Sequence, residues 1–232
     1  MVRGKFSFLL FRPRHPEIFQ SFLFKSFLFN LSSMRTVIID YNAGNIRSVC
    51  FALERLGVNP ILSNEPEQIQ AADKVIFPGV GEAGSTMRYL RQSGLDIVIK
   101  SLKQPVLGIC LGMQLLCEHS EEGNTSCLGI IPQKVLKFVP KANEKVPHVG
   151  WNTIDQSPNY LHHPLFDQIE KDSYVYFVHS YYVENGAYSI AHSDYVLNFS
   201  AALQKDNFYA AQFHPEKSGA IGEQLLKNFL GL

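Results

Sequence analysis

The stretch Pro105-Val-Leu-Gly-Ile-Cys110-Leu-Gly-Met-Gln-Leu-Leu116 changes its period in mid-course. Val106–Ile109 is a short apolar run, the length of a strand buried on both faces. Beyond it, Leu111, Gln114/Leu115 and Glu118 recur at helical spacing, and the predicted helix ends in the acidic cluster Glu118–Gly123. A strand that turns into a helix at a nucleophile between two glycines is the nucleophile-elbow design, best known with serine. Gly108 and Gly112 supply the small neighbours that such a turn needs. The turn is expected to expose Cys110 at the carboxyl end of its strand. It also places Cys110 at a helix N-terminus, where the dipole and free N–H groups favour a thiolate and an anionic intermediate. Taken alone, the pentapeptide fits either a catalytic thiol or an inert buried cysteine.

A cysteine nucleophile needs a base, and the base an orienting group. Phe208–Lys217 supplies both: His214 and Glu216 stand at i and i+2, on one face of an extended segment, and Pro215 restrains His214 towards extended geometry. A relay from the carboxylate of Glu216 through His214 to Cys110 follows. The distance in sequence is no obstacle, because triads assemble in space.

Gly108-Ile-Cys110-Leu-Gly112-Met-Gln114 with Phe213-His214-Pro-Glu216 resembles the class I, triad-type glutamine amidotransferases. The blocks Val37–Asn45, Pro78-Gly-Val-Gly81, Pro147–Asn152 and His179-Ser-Tyr181 are similar to those of the glutaminase subunits of imidazole glycerol phosphate synthase, from about Met34 to the C-terminus. The resemblance implies hydrolysis of L-glutamine to glutamate and ammonia through a cysteinyl thioester. It implies passage of the ammonia to a (β/α)8-barrel cyclase in a heterodimer, for imidazole glycerol phosphate and an aminoimidazole carboxamide ribotide in histidine biosynthesis. No metal or organic cofactor is implied. It further implies an oxyanion hole from Val80, Gly81 and Leu111, and glutamine contacts at Gly79, Gln114, Glu122 and the backbone of Ser180 and Tyr181. Asn45, Trp151, Tyr176 and Lys217 are expected to face the partner. For Trp151 the residue type alone also fits a core anchor, and the acids around Glu122 also fit a solvated face.

The chain's 232 residues, 46% hydrophobic and 18% charged, suit one α/β domain. Zero formal net charge gives a general nucleic-acid-binding role no electrostatic support. Four cysteines, none in CxxC spacing, argue against a disulfide framework or a zinc site and suit a reducing cytosol. His179 has no partner acids at ligand spacing, so no metal is expected.

Residues 1–33 differ from the remainder, with 8 of the 17 phenylalanines, five basic residues and one acid. Pro13, Arg14, Pro16 and Glu17 interrupt any signal-peptide core. The run Ile18–Leu31 is too short to span a membrane and contains Lys25. The favoured reading is that translation starts at Met34, where members of the resembled family begin, leaving 34–232 as the amidotransferase domain.

In order along that domain, Thr36–Asp40 reads as a strand and Asn42–Asn45 as turn chemistry. Ser48–Leu56 is a helix closed by Gly57, Pro60–Leu62 a strand, and Ala72–Phe77 a strand leading into the glycine loop. That loop matches neither a dinucleotide nor a Walker spacing. Met87–Leu102 is two helical pieces broken at Gly94. Short strands are expected at Ile130–Phe138, Trp151–Ile154, Tyr174–Tyr182, Tyr188–Ile190 and Phe199–Leu203, then a closing helix over Gly222–Leu230. The alternation predicts a doubly wound, mostly parallel central sheet with flanking helices and a β-rich C-terminal half, with ligands at the carboxyl ends of strands. Two rivals remain: a paralogous subunit feeding ammonia to a sugar-amidination synthase, which would share every motif, and a non-catalytic interaction subunit, which intact Cys110, His214 and Glu216 oppose.

Overall fold

The computed structural model describes residues 34–232, apart from 42–43 and 142–143. The expectations for residues 1–33, including the start at Met34, and for Asn42 and Ala43 in the first turn, lie outside the described residues.

Five strands form a parallel core in the order β2 (Ile61–Ser63), β1 (Thr36–Ile39), β3 (Lys74–Phe77), β4 (Val106–Ile109) and β13 (Phe208–Ala211). Alternate residues of these strands point to opposite faces. Ile38, Ile76, Leu107 and Ile109 join one apolar cluster with α1 (Ile46–Arg55) and the C-terminal helix α6 (Gly219–Leu230). Val37, Ile39, Val75, Phe77 and Val106 join the other, with α2 (Pro66–Gln70), α3 (Ala83–Ser93), α4 (Leu95–Ser101) and α5 (Leu111–Leu116). This is the expected doubly wound arrangement. Gly94 divides α3 from α4 as expected, at a φ of 73° that favours glycine.

Past β13 the sheet turns antiparallel through β12 (Asn198–Lys205), β10 (Tyr181–Val183) and β7 (Lys134–Lys137), and ends in β5 (His119–Ser120) and β6 (Thr125–Ser126). From β12 a branch leads through β11 (Ser189–Asp194) to β8 (His148–Gln156) and β9 (Ser173–His179). Consecutive strands β5/β6, β8/β9, β11/β12 and β12/β13 pair antiparallel, whereas β7 lies between β10, antiparallel to it, and β5, parallel to it. The expected strand Tyr174–Tyr182 is divided at Ser180, and the strand centred on Trp151 is longer than its β-formers suggested.

The helix after Cys110 is shorter than its spacing predicts. All six residues of α5 are buried, so it has no solvent face. Cys117 leaves the helical region at ψ 179°, and His119–Ser120 pairs with β7 as a strand instead. Burial on every side, rather than periodicity, determined this element. Among the described residues no helix is long and apolar enough to cross a membrane.

A Cβ on Gly112 would lie 1.9 Å from the Phe77 carbonyl oxygen, a backbone atom with little freedom to move, whereas one on Gly57 (φ 80°) would meet nothing. Gly112→Ala is therefore expected to cost about 3 kcal/mol or more, and Gly57→Ala about 1 kcal/mol from left-handed strain alone. Thermal unfolding should show Tm losses of roughly 6–12 °C against 2–4 °C. Equal losses would contradict the close approach of α5 to β3.

Candidate active site

Strand β4 ends at Cys110, whose backbone (φ 52°, ψ −107°) makes the sharp turn into α5. Such geometry in a non-glycine residue is strained and persists only where the surroundings enforce it. Here the Cys110 N–H bonds to the Ala211 carbonyl at 2.8 Å, and the Gln114 N–H bonds back to the Cys110 carbonyl at 3.2 Å. Cys110 is less open than expected, at 7% exposure. Its sulfur faces a cleft of about 320 Å³ at the carboxyl end of the parallel core, a volume suited to a metabolite.

The cleft is also lined by Val80, Gly81, Leu111, Gln114, Glu122, Ser180, Tyr181, His214 and Lys217, every one a residue singled out in the sequence. Gly79, Asn45, Trp151, Tyr176 and Glu216 are not on its wall.

His214 and Glu216 meet, though not through an extended segment. His214 is extended (φ −98°, ψ 95°), but Pro215–Lys217 is a 3-10 turn that swings Glu216 back to the ring. Nδ1 of His214 donates to Oε1 of Glu216 at 2.7 Å, which leaves Nε2 for the hydrogen bond the ring makes with Cys110. Burial by itself would push the imidazolium down. The hydrogen bonds to Cys110 and Glu216, with the charges of both groups, outweigh it and carry His214 up to about 10. In the thiol form, Cys110 can rest its S–H on the Val178 carbonyl, 3.7 Å away.

Asn45, expected at a partner face, turns its side chain inward and donates from Nδ2 to the same Glu216 Oε1 at 2.6 Å. The carboxylate is thus clamped from two sides through one oxygen. Its other oxygen is buried without a partner among the described residues. The loop carrying His214 is tied to β9: the His214 N–H bonds to the Tyr176 carbonyl (2.9 Å), and Ser218 Oγ accepts from the Tyr176 N–H (2.9 Å) and donates to the His214 carbonyl (2.7 Å).

At the glycine loop, the Leu111 N–H is engaged by the Gly79 carbonyl at 3.3 Å. Tyr41, whose hydroxyl donates to the Pro78 carbonyl, packs behind it. Room for Gly79 is tight: a Cβ there would lie 2.6 Å from Tyr41 Oη and 2.8 Å from Gly112 N. At the opposite end of the cleft, Glu122 Oε2 accepts from the Ala83 N–H at 2.8 Å, at the start of α3. Burial raises the Glu122 carboxyl, the Ala83 N–H opposes this, and Glu82 adds to it.

Sequence reasoning missed a buried histidine pair. His179 Nδ1 lies 2.8 Å from the Tyr181 carbonyl, and a carbonyl can only accept, so that nitrogen carries the hydrogen. His179 Nε2 is then an acceptor, and His148 Nδ1, 3.1 Å away, is its donor. Burial lowers His179 to about 3 and His148 to about 4. The only signals for His148 in the sequence were its place after Pro147 and before a strand, and neither marks a buried partner.

The chain matches the family model for glutamine amidotransferase class-I over residues 37–231. The chain belongs to the class I glutamine amidotransferases. Within them, it is 59% identical over 200 residues to imidazole glycerol phosphate synthase subunit HisH of Bacteroides fragilis, covering 86% of this chain and all of the relative. It is 48% identical over 199 residues to the same-named subunit of Idiomarina loihiensis, covering 86% of this chain and 98% of the relative. Among solved structures, the glutaminase domain of CTPS from Trypanosoma brucei superposes with TM-score 0.59 at 16% identity, covering 86% of this chain and 92% of that one. PurLQS from Thermotoga maritima superposes with TM-score 0.63 at 15% identity, covering 85% and 98%. These two share the fold.

The buried titratable groups fix a pH dependence of stability. His148 and His179 are held neutral in the fold but protonate near pH 6.5 once unfolded, so their contribution is complete above that pH and is lost as pH falls towards 4 and 3. His214 has the opposite sign: its contribution is complete below about pH 6.5 and is lost as pH rises through about 10. Denaturant midpoints measured between pH 4 and pH 10.5 should fall at both ends. The acid slope should be reduced in His148→Gln and the alkaline slope in His214→Gln.

Proposed function

We propose that the chain is the glutaminase subunit of imidazole glycerol phosphate synthase, releasing ammonia from L-glutamine for a cyclase partner in histidine biosynthesis. The observation that carries the reading is the assembly of Cys110 and His214 on one cleft, with Glu216 bonded to His214 from behind it, on the fold of this family.

The geometry supports the following reaction. With the proton of the pair held on His214 Nε2, the Cys110 thiolate bonds to the side-chain carbonyl carbon of glutamine. The C=O electron pair moves to oxygen. The tetrahedral intermediate collapses as His214 returns the proton to the departing ammonia. Water then attacks the thioester, giving its proton to His214, and glutamate leaves when the sulfur departs as the thiolate beside protonated His214. Glu216 keeps the Nδ1–H tautomer and stabilises the imidazolium.

Leu111 and Val80 provide the oxyanion donors in this reading, with Gly79 and Gly81 permitting the loop to move. The Leu111 N–H is occupied by the Gly79 carbonyl, and that carbonyl belongs to the same peptide plane as the Val80 N–H. One rotation of the Gly79–Val80 peptide frees the first donor and delivers the second. A lost oxyanion donor typically costs about 3–4 kcal/mol in the barrier, so this plane is sufficient to hold the subunit nearly silent until its partner turns it. Glutamine lies with its ammonium towards Glu122 and Gln114 and its carboxylate on the backbone of Ser180 and Tyr181.

The cyclase, a (β/α)8 barrel, docks on the outer face of β8 and β9. Val149, Trp151 and Tyr174 are 56%, 55% and 61% exposed there, and Trp151 makes an edge-on contact with Tyr176 at 5.8 Å. Lys217 lines the cleft, and Asn45 reaches inward to Glu216. Trp151 is no core anchor.

Glutamate release by the purified chain should be slow alone and strongly stimulated by the barrel cyclase with its ribotide substrate, and should vanish in Cys110→Ala. Activity indifferent to the cyclase would instead point to the sugar-amidination paralogue. Trp151→Ala should weaken association with the cyclase by about 2 kcal/mol or more, roughly 30-fold in Kd by titration calorimetry, with Tm unchanged.

A further inference from the structure

Gln212, between β13 and the His214 turn, is fully buried and has no role in the mechanism above. Its backbone N–H bonds to the Ala201 carbonyl at 2.9 Å, which anchors the residue to β12. Its side chain lies between Gln114 and the sulfur of Cys110.

Which end of a glutamine amide faces a neighbour must be deduced from the hydrogen-bond network, and here the network permits one answer. The Tyr181 carbonyl is an obligate acceptor, so the Gln114 atom 3.0 Å from it is Nε2. That same nitrogen lies 2.9 Å from Gln212, so the Gln212 atom facing it is Oε1. The remaining end of Gln212 is therefore Nε2, and it points at Cys110 Sγ from 3.7 Å. A fixed backbone carbonyl thus sets, through two amides, a neutral N–H donor aimed at the sulfur. Nε2 spends both its contacts on acceptors in Gln114, which leaves the Oε1 of that residue for the cleft it lines.

We propose that Gln212 is a catalytic residue of this thiol, donating from Nε2 to Cys110 Sγ and stabilising the sulfur whenever it is anionic. The inference rests on the glutaminase reading. The sulfur is anionic twice in that reaction: after its proton has passed to His214, and when the thioester breaks. Gln212 makes and breaks no covalent bond and carries no proton. His214 also bonds to the sulfur, but it must release its proton to ammonia, whereas the amide donor stays in place throughout.

The test separates this proposal from the glutaminase reading by following the thiol without glutamine. Iodoacetamide alkylation of Cys110 is measured across pH by mass spectrometry of its peptide, in native protein, Gln212→Leu and Gln212→Glu. Loss of a hydrogen bond to a charged group predicts about 10-fold slower alkylation at neutral pH in Gln212→Leu, with the profile displaced to higher pH, and a larger displacement in Gln212→Glu. With the cyclase present, kcat should fall about as far while KM holds. In the native chain, the Gln212 side-chain amide resonance should titrate with the same midpoint as alkylation of Cys110, a readout that needs no folded variant. Folded variants with native alkylation profiles, or an amide resonance that stays flat through that midpoint, would overturn the role of Gln212. Native protein that alkylates as expected but releases no glutamate even with the cyclase would overturn the glutaminase reading instead.

Discussion

Helix α5 can approach strand β3 only because residue 112 has no side chain, and the site depends on that contact. The close approach sets the first turn of the helix beneath the Pro78–Gly81 loop, so that the Leu111 N–H meets the Gly79 carbonyl. It also bends the backbone at Cys110 into a conformation that no free chain would favour. The strain is held by ladder bonds on one side, through Ala211, and by the buried helix on the other. A nucleophile so placed cannot relax away from its base, because moving it would require separating two layers of close-packed core.

Around this fixed point the polar groups form two directional chains. One runs from Asn45 and Glu216 through His214 to the sulfur and is charged. The other runs from His148 through His179 to the Tyr181 carbonyl, and from that carbonyl back through Gln114 and Gln212 to the same sulfur, and is neutral. In each, an obligate acceptor within the chain, the Glu216 carboxylate in the first and the Tyr181 carbonyl in the second, fixes the proton positions on either side. Burial makes such chains costly when broken, so they confer a single arrangement rather than merely adding stability. The charged chain can move a proton; the neutral one holds still.

The parts of the protein legible in the sequence are those where one residue type has one use. The elbow glycines, the apolar strand before them and the break at Gly94 each announced a geometry, and each of those elements stands where it was expected. What was misread has a physical cause in each instance. The helix after Cys110 was overextended because spacing cannot show that an element is buried on all sides. The His214–Glu216 pair was placed on an extended segment because the i, i+2 rule says nothing of a turn beginning at Pro215. Gln212 passed unnoticed because its partners, Gln114 and Cys110, are 98 and 102 residues away in the chain. A lone polar residue in the run Tyr209-Ala-Ala-Gln-Phe was nevertheless a signal, since a buried amide must find partners.

The remaining step concerns how a surface can govern a buried thiol. Tyr176 presents its ring beside Trp151 on the outer face, while its backbone carbonyl holds the His214 N–H and its own N–H is held by Ser218. In the proposed complex, the strand that meets the partner therefore also grips the base. Val178, two residues on and on the same face of β9, carries the carbonyl that faces Cys110, and β9 ends at His179, where the neutral chain begins. A partner seated on this face need not move any catalytic side chain far. Because β9 is a rigid strand paired to β8 over its full length, a small displacement there is shared by the base, the sulfur's resting acceptor and the neutral chain at once. In the proposed reading, the element that yields is the Gly79–Val80 peptide, held to the Leu111 N–H at 3.3 Å and flanked by Gly79 and Gly81.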